Sequence, residues 1–151
     1  MRAVREAYAD FWSQFLDRTT SPQRHLPAFS SGQVVIRDAQ GRPISQEAWP
    51  PGSFPYLTYE LIMTQFGQPT IVSVNIWDRP PAQAQNPFGR VDDVLEQVRD
   101  AIPEGGILID VGDEGTLYMR RSTPFISYLD DPDDPQITRA IVRVVISSYI
   151  A

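Results

Sequence analysis

At 151 residues and without a cysteine, the chain has room for one hydrophobic core and nothing to staple it, which excludes disulfide frameworks, zinc ribbons, iron–sulfur clusters and thiol nucleophiles. The net charge of −6, with all 13 basic residues arginine and scattered along the chain, excludes a protein that coats duplex nucleic acid by neutralising its phosphates. Because Glu6 and Asp10 interrupt the start and no apolar run approaches the ~20 residues of a membrane span, the sequence reads as one soluble domain, residues 1–151, made in the cytoplasm and free of membrane.

Val4, Tyr8, Phe11, Trp12, Phe15 and Leu16 recur at the three-and-four spacing of one helical face, with Arg5, Asp10, Gln14 and Asp17 opposite. This predicts a first helix from about Ala3 to Asp17. From Thr19 to Ser53 the composition turns to Pro, Ser and Gly. A short hairpin is expected there, Val34 to Arg37 followed by Asp38-Ala39-Gln40-Gly41, inside a decorated connection punctuated by Pro50-Pro51-Gly52. Leu57, Tyr59, Leu61 and Met63 then alternate with Thr58, Glu60 and Ile62. Beyond Phe66-Gly67-Gln68-Pro69, Val72, Val74 and Ile76 alternate with Ser73 and Asn75. The pattern is a β-hairpin in which each strand buries one face.

The stretch from Arg79 through Pro80 and Pro81 to Pro87 breaks the strand, because proline brings no amide hydrogen to a ladder. Val91, Val94, Leu95, Val98 and Ile102 mark a second helix, with Asp92 and Asp93 favouring its dipole and Pro103 and Gly105-Gly106 ending it. A second hairpin follows: Ile107 to Val111, a Gly112-Asp113-Glu114-Gly115 turn, and Thr116 to Arg120. A short strand near Phe125 to Leu129 comes next. The last strand, Ile137 to Tyr149, is apolar on both alternations and so belongs inside the sheet. Together these elements make an α+β fold of two layers, an antiparallel or mixed sheet of four or five strands with two helices packed on one face.

Chemistry is sparse. His25 is the lone histidine and sits in a polar loop. Asp110, Asp113 and Glu114 have turn composition and lack the spaced oxygen ligands of a calcium loop. Gly105-Gly106 and Gly112 to Gly115 match neither the dinucleotide fingerprint nor the Walker pattern. Phe54, Tyr56, Tyr59 and Trp77 read as core aromatics, since a base-stacking platform needs a cationic groove beside it. Neither a cofactor, a metal site nor a catalytic residue is expected. Two charged groups remain, the paired Arg120-Arg121 and the acidic run Asp130, Asp131, Asp133 and Asp134 around Pro132; either a solvated loop or a partner for a neighbour's arginines accounts for the run.

Several pieces, in order, resemble the phage tail terminator, or tail completion, family of long-tailed phages. They are the Ala7-Tyr8-Ala9-Asp10-Phe11-Trp12-Ser13-Gln14-Phe15 helix, Pro55-Tyr56-Leu57-Thr58-Tyr59, Ile76-Trp77-Asp78, the helix beginning near Val91, Thr123-Pro124-Phe125, and the passage from Asp130 to Arg139. They cover most of the chain from Ala3 to Val145, while Gln33 to Trp49 and Pro80 to Pro87 depart from the pattern. The resemblance implies a virion protein at the head–tail interface: a homo-oligomer, a hexameric ring that caps the tail tube and presents a surface to the head–tail connector. DNA would pass its lumen without specific binding, which an acidic surplus suits. No catalysis is implied. A closed head-to-tail ring needs two different complementary patches per subunit, for which Arg120 and Arg121 with Asp130 to Asp134 are the candidates. Two other readings stay open: a head-closure or adaptor protein, and a small hydrolase-like enzyme acting on an acyl or phosphoryl substrate through Asp110 and His25.

Overall fold

The computed structural model describes residues 2–19, 23–30, 36–45, 49, 53–62, 68–130 and 136–149, with the side chains of Arg2 and Asp130 outside that description. The first helix, α1 (Arg2–Trp12), is shorter than the aromatic spacing predicts. Ser13 turns its hydroxyl back onto the Ala9 carbonyl at 2.8 Å, and the Gln14 amide donates to Phe11 O at 2.8 Å, so side chains satisfy the last turn's carbonyls. Phe15 still reaches the core from beyond the helix end. Leu16 enters a two-residue strand, β1 (Leu16–Asp17), paired antiparallel with β2 (Arg24–His25).

The main sheet has six strands in the order β3-β4-β5-β8-β7-β6, built from β3 (Ala28–Ser30), β4 (Tyr56–Tyr59), β5 (Thr70–Asp78), β6 (Ile107–Asp110), β7 (Thr116–Asp130) and β8 (Thr138–Tyr149). All neighbours are antiparallel except β3 and β4, so the sheet is mixed. The expectation of four or five strands falls short because β3 lies in the Pro- and Ser-rich connection and is too short to show an alternation. The separate strand expected near Phe125 is the second half of β7. Arg121 faces Val144 and Ile126 faces Val142, so residues 122–125 bulge opposite Arg143 alone. The bulge accommodates Pro124, and it reverses the alternation: odd-numbered residues point to the helices before it and even-numbered ones after it.

The second helix, α2 (Gly89–Ala101), follows its expected range closely. It lies with α1 over one face of the sheet. Val4, Tyr8 and Trp12 from α1 and Val91, Val94, Leu95 and Val98 from α2 share a core with Val72, Val74, Ile76, Ala140, Val142 and Val144. Fully buried side chains of this size each stabilise the fold by roughly 1.5–3 kcal/mol. Gln97 ties α2 to β1 by accepting the Leu16 N–H at 3.0 Å and donating to Leu16 O at 2.9 Å. β8 lies between β5 and β7, inside the sheet as its double-sided apolar pattern predicts.

The strand β4 departs from the hairpin expectation. It is buried on both faces, because a second cluster of Phe54, Tyr56 and Ile137, with Phe29, Trp49 and Trp77 packed on it, covers the far side of the sheet at that end. In the excursion before it, Asp38 N–H donates to Arg42 O and Ile44 N–H to Ile36 O, forming a small hairpin around Gly41. Val34 and Val35 of the expected hairpin, and Met63, Phe66 and Gly67 of the β4–β5 connection, lie outside the described residues.

Candidate assembly surface

Strand pleating sends alternate residues of β5, β7 and β8 away from the helices. The aromatic cluster covers this face at one end, where Arg139 stacks over Trp77 at 4.9 Å and Trp77 Nε1 donates to Thr58 Oγ1 at 3.0 Å. The other end carries the exposed residues. Register places Ile71 beside Val145, Val145 beside Arg120, and Tyr118 beside Leu108, with Tyr149 further along β8, beyond Ser147 and opposite Thr116. Ile71 is 60% exposed, Leu108 72% and Tyr149 46%, while Arg120 stands exposed among them. Large apolar side chains clustered on one face mark an interaction surface more than isolated ones do.

Gly106 fits this surface to the strand behind it. Its φ of +79° lies in the left-handed region, and a Cβ there would come within 2.7 Å of the Met119 carbonyl oxygen and 3.0 Å of Arg120 Cβ. Tyr118 in turn donates its hydroxyl to Gly105 O at 2.8 Å.

The structure separates the two cations that the sequence pairs. Arg120 points to the helix-free face, whereas Arg121 points to the helices and caps α2. Its Nε donates to Ile102 O at 2.7 Å and another guanidinium nitrogen to Arg99 O at 3.1 Å, and the group lies 4.7 Å from the Phe125 ring centre. A cation there also suits the negative end of the helix dipole. Neighbours on a strand face opposite ways, a signal available in the sequence and missed by treating the two arginines as one patch. Of the acidic run, Asp130 closes β7, and Asp131, Asp133 and Asp134 lie outside the described residues.

No family model matches this chain, and a search of curated proteins finds no match either.

The residues considered for enzyme chemistry lie apart. His25 is exposed in β2, just before the edge strand β3, while Asp110 ends β6 at the opposite edge and accepts the Gly112 N–H at 2.9 Å. Glu114 accepts the Ala3 N–H at 2.8 Å and so serves the first turn of α1. Two hollows are formed by other residues. One of about 510 Å³ lies between Arg79, Pro80, Pro87 and Thr138, and one of about 400 Å³ lies between Arg5, Tyr8, Ser30 and Tyr59. Burial pushes the Tyr8 hydroxyl well above the usual phenol range. Among the described residues no group of three or more His, Asp or Glu side chains is placed to hold a metal ion.

Two buried carboxylates escaped sequence reasoning. Asp78 is fully buried and paired with Arg90, whose Nε donates to Asp78 Oδ2 at 3.0 Å and whose terminal nitrogen lies 2.7 Å from Oδ1. The same guanidinium donates to Arg79 O, tying α2 to the end of β5. Asp17 pairs with Arg24, which also donates to Phe54 O at 3.0 Å, and so joins β2 to the segment leading into β4. Burial pushes the Asp78 carboxyl above its ordinary 3.8, outweighing the opposing pull of Arg90.

Proposed function

We propose that this chain is a structural subunit resembling phage tail terminators, which assembles into a hexameric ring that caps a tail tube and offers its outer end to the head–tail connector. The observation that carries the reading is the helix-free end of the sheet, where exposed Ile71 and Leu108 lie to either side of Arg120 and exposed Tyr149 lies further along β8 opposite Thr116. A patch of that composition on one side of a two-layer fold supports association in register, since apolar residues give contact area and a charge selects the partner. The ordered pieces from α1 to Arg139 that resemble the family support the same reading. In it the protein works in the virion without catalysis, a cofactor or a metal, and DNA crosses the lumen without specific contacts.

The experiment is native mass measurement of the purified chain, alone and with tail-tube rings, with negative-stain images of both samples. The expected result is a six-subunit ring with an open centre, formed in solution or on the tube end. A chain that stays monomeric in both samples and leaves tube ends bare overturns the proposal. Rings that bind portal complexes in preference to tubes would move the protein to the head-closure side of the joint.

A further inference from the structure

β6 is the last strand of the sheet and pairs only with β7. The Val111 N–H donates to Gly115 O at 2.9 Å, and bonded pairs alternate along an antiparallel ladder, so Val111, Ile109 and Ile107 are the residues that bond to β7. Leu108 and Asp110 therefore turn their backbone N–H and C=O groups outward, where among the described residues no partner meets them. Open edges are ordinarily guarded by proline, lysine or a bulge. The strand Ile107-Leu108-Ile109-Asp110 has none of these, and Leu108 is the most exposed large apolar side chain among the described residues.

We infer that this edge pairs with the same edge of a second copy about a two-fold axis, antiparallel, so that the sheet continues from one copy into the other. One register makes the edge complementary to itself. With Leu108 opposite its own counterpart, the pair exchanges two backbone hydrogen bonds, and Ile107 of each copy meets Ile109 of the other on the helical side. On the helix-free side, Leu108 and Tyr118 of both copies form one apolar row. Asp110 falls opposite the other copy's Gly106, which has no side chain, and the β6–β7 register continued by one residue places Arg120 next to Gly106. Asp110 and the other copy's Arg120 are thus two strand spacings apart, about 10 Å between backbones, which an aspartate and an extended arginine span past the Tyr118 ring. The exposed carboxylate that shares this face with Arg120 becomes the counterion of the other copy's Arg120, twice per dimer. The two neighbouring registers set Asp110 against Asp110 or against Leu108 instead. The nearest like charges, Glu104 and Asp113, lie in the turns beyond the two ends of β6. This contact is independent of the ring reading, since a head-to-tail ring joins unlike surfaces and the edge joins like ones.

Because the chain has no cysteine, a single introduced thiol reports whether a position meets itself. Leu108 and its counterpart would stand about 5.5 Å apart at their Cα atoms, within disulfide reach. In a glutathione redox buffer, Leu108→Cys is expected to form a linked dimer at least about tenfold faster than Ile71→Cys, which is also exposed but lies off the contact. A charge exchange gives a second reading, by sedimentation and native mass. Arg120→Glu and Asp110→Arg are each expected to raise the concentration at which the dimer dissociates roughly tenfold, and the double variant to return it to within about threefold of wild type. Melting temperatures near wild type confirm that each charge variant is folded, and the thiol experiment requires neither of them. Linking of Leu108→Cys no faster than Ile71→Cys overturns the inference, as does a double variant no better than its parents, or a wild type that stays monomeric up to about 1 mM. Six-membered rings whose Leu108→Cys variant does not link remove the dimer and leave the functional proposal in place; a linked dimer that leaves tail-tube ends bare does the reverse.

Discussion

Asp78 shows how a single buried carboxylate can control the pH response. Its folded pKa lies above the ordinary 3.8, with burial the largest cause. The folded chain therefore holds a proton that the unfolded chain has already released, and stability falls as pH rises from about 3.8 to the folded value, then levels off. Asp78→Asn keeps the shape and an acceptor for Arg90 but cannot titrate. Urea unfolding of both proteins across this window is expected to show a shallower fall in the variant; identical slopes would assign the titration to another group. This pair was invisible in the sequence because Asp78 and Arg90 belong to different elements, separated by a loop whose path only the fold reveals. The split of Arg120 from Arg121, in contrast, was legible, since adjacent residues of any strand face opposite sides.

At the level of elements, the contrast between these two arginines is a stability experiment. Arg121 donates to the Arg99 and Ile102 carbonyls at the end of α2, where its charge favours the dipole. Arg121→Glu removes both bonds and reverses the charge, a loss of about 2 kcal/mol. Thermal unfolding should shift down by about 4–8 °C for a chain of this size. Arg120→Glu, exposed on the other face, should leave the melting temperature of the monomer within about a degree. Equal shifts in the two variants would contradict the assigned orientations. The ranges of α2, β5 and β8 were legible because each carries a sustained period over many residues. The end of α1 was not, because Phe15 and Leu16 continue the helical spacing while Ser13 and Gln14 close off the last turn. β3 was illegible for a plainer reason: Ala28, Phe29 and Ser30 are too few to display a period, and β4 alone determines their pairing.

The whole molecule is organised around its middle strands. β5 and β8 pair along nine residues of β5, from Thr70 with Ile146 to Asp78 with Thr138, and both are covered by the helices. The amides they share should be the last to exchange with solvent, while those of β3 and β6 at the two edges should exchange first, as followed by hydrogen exchange and mass spectrometry. Uniform protection across the sheet would contradict this ordering. The two-layer α+β architecture was legible from the sum of the periods. The location of the candidate surface was not, because it depends on which half of one sheet face the aromatic cluster leaves uncovered.

The bulge in β7 carries a consequence of parity. Before it, Leu117, Met119 and Arg121 face the helices; after it, Ile126 and Tyr128 do. Residues 122–125 therefore act as a counter whose length, odd or even, decides which side chains of the flanking halves are inside. Inserting one residue there would turn every side chain on one flank over, bringing Arg120 toward the core or Ile126 toward water. Inserting two would preserve both assignments. Changes in chain length between Ser122 and Phe125 are thus expected to be tolerated in pairs, although the segment looks in sequence like an ordinary gap between two strands.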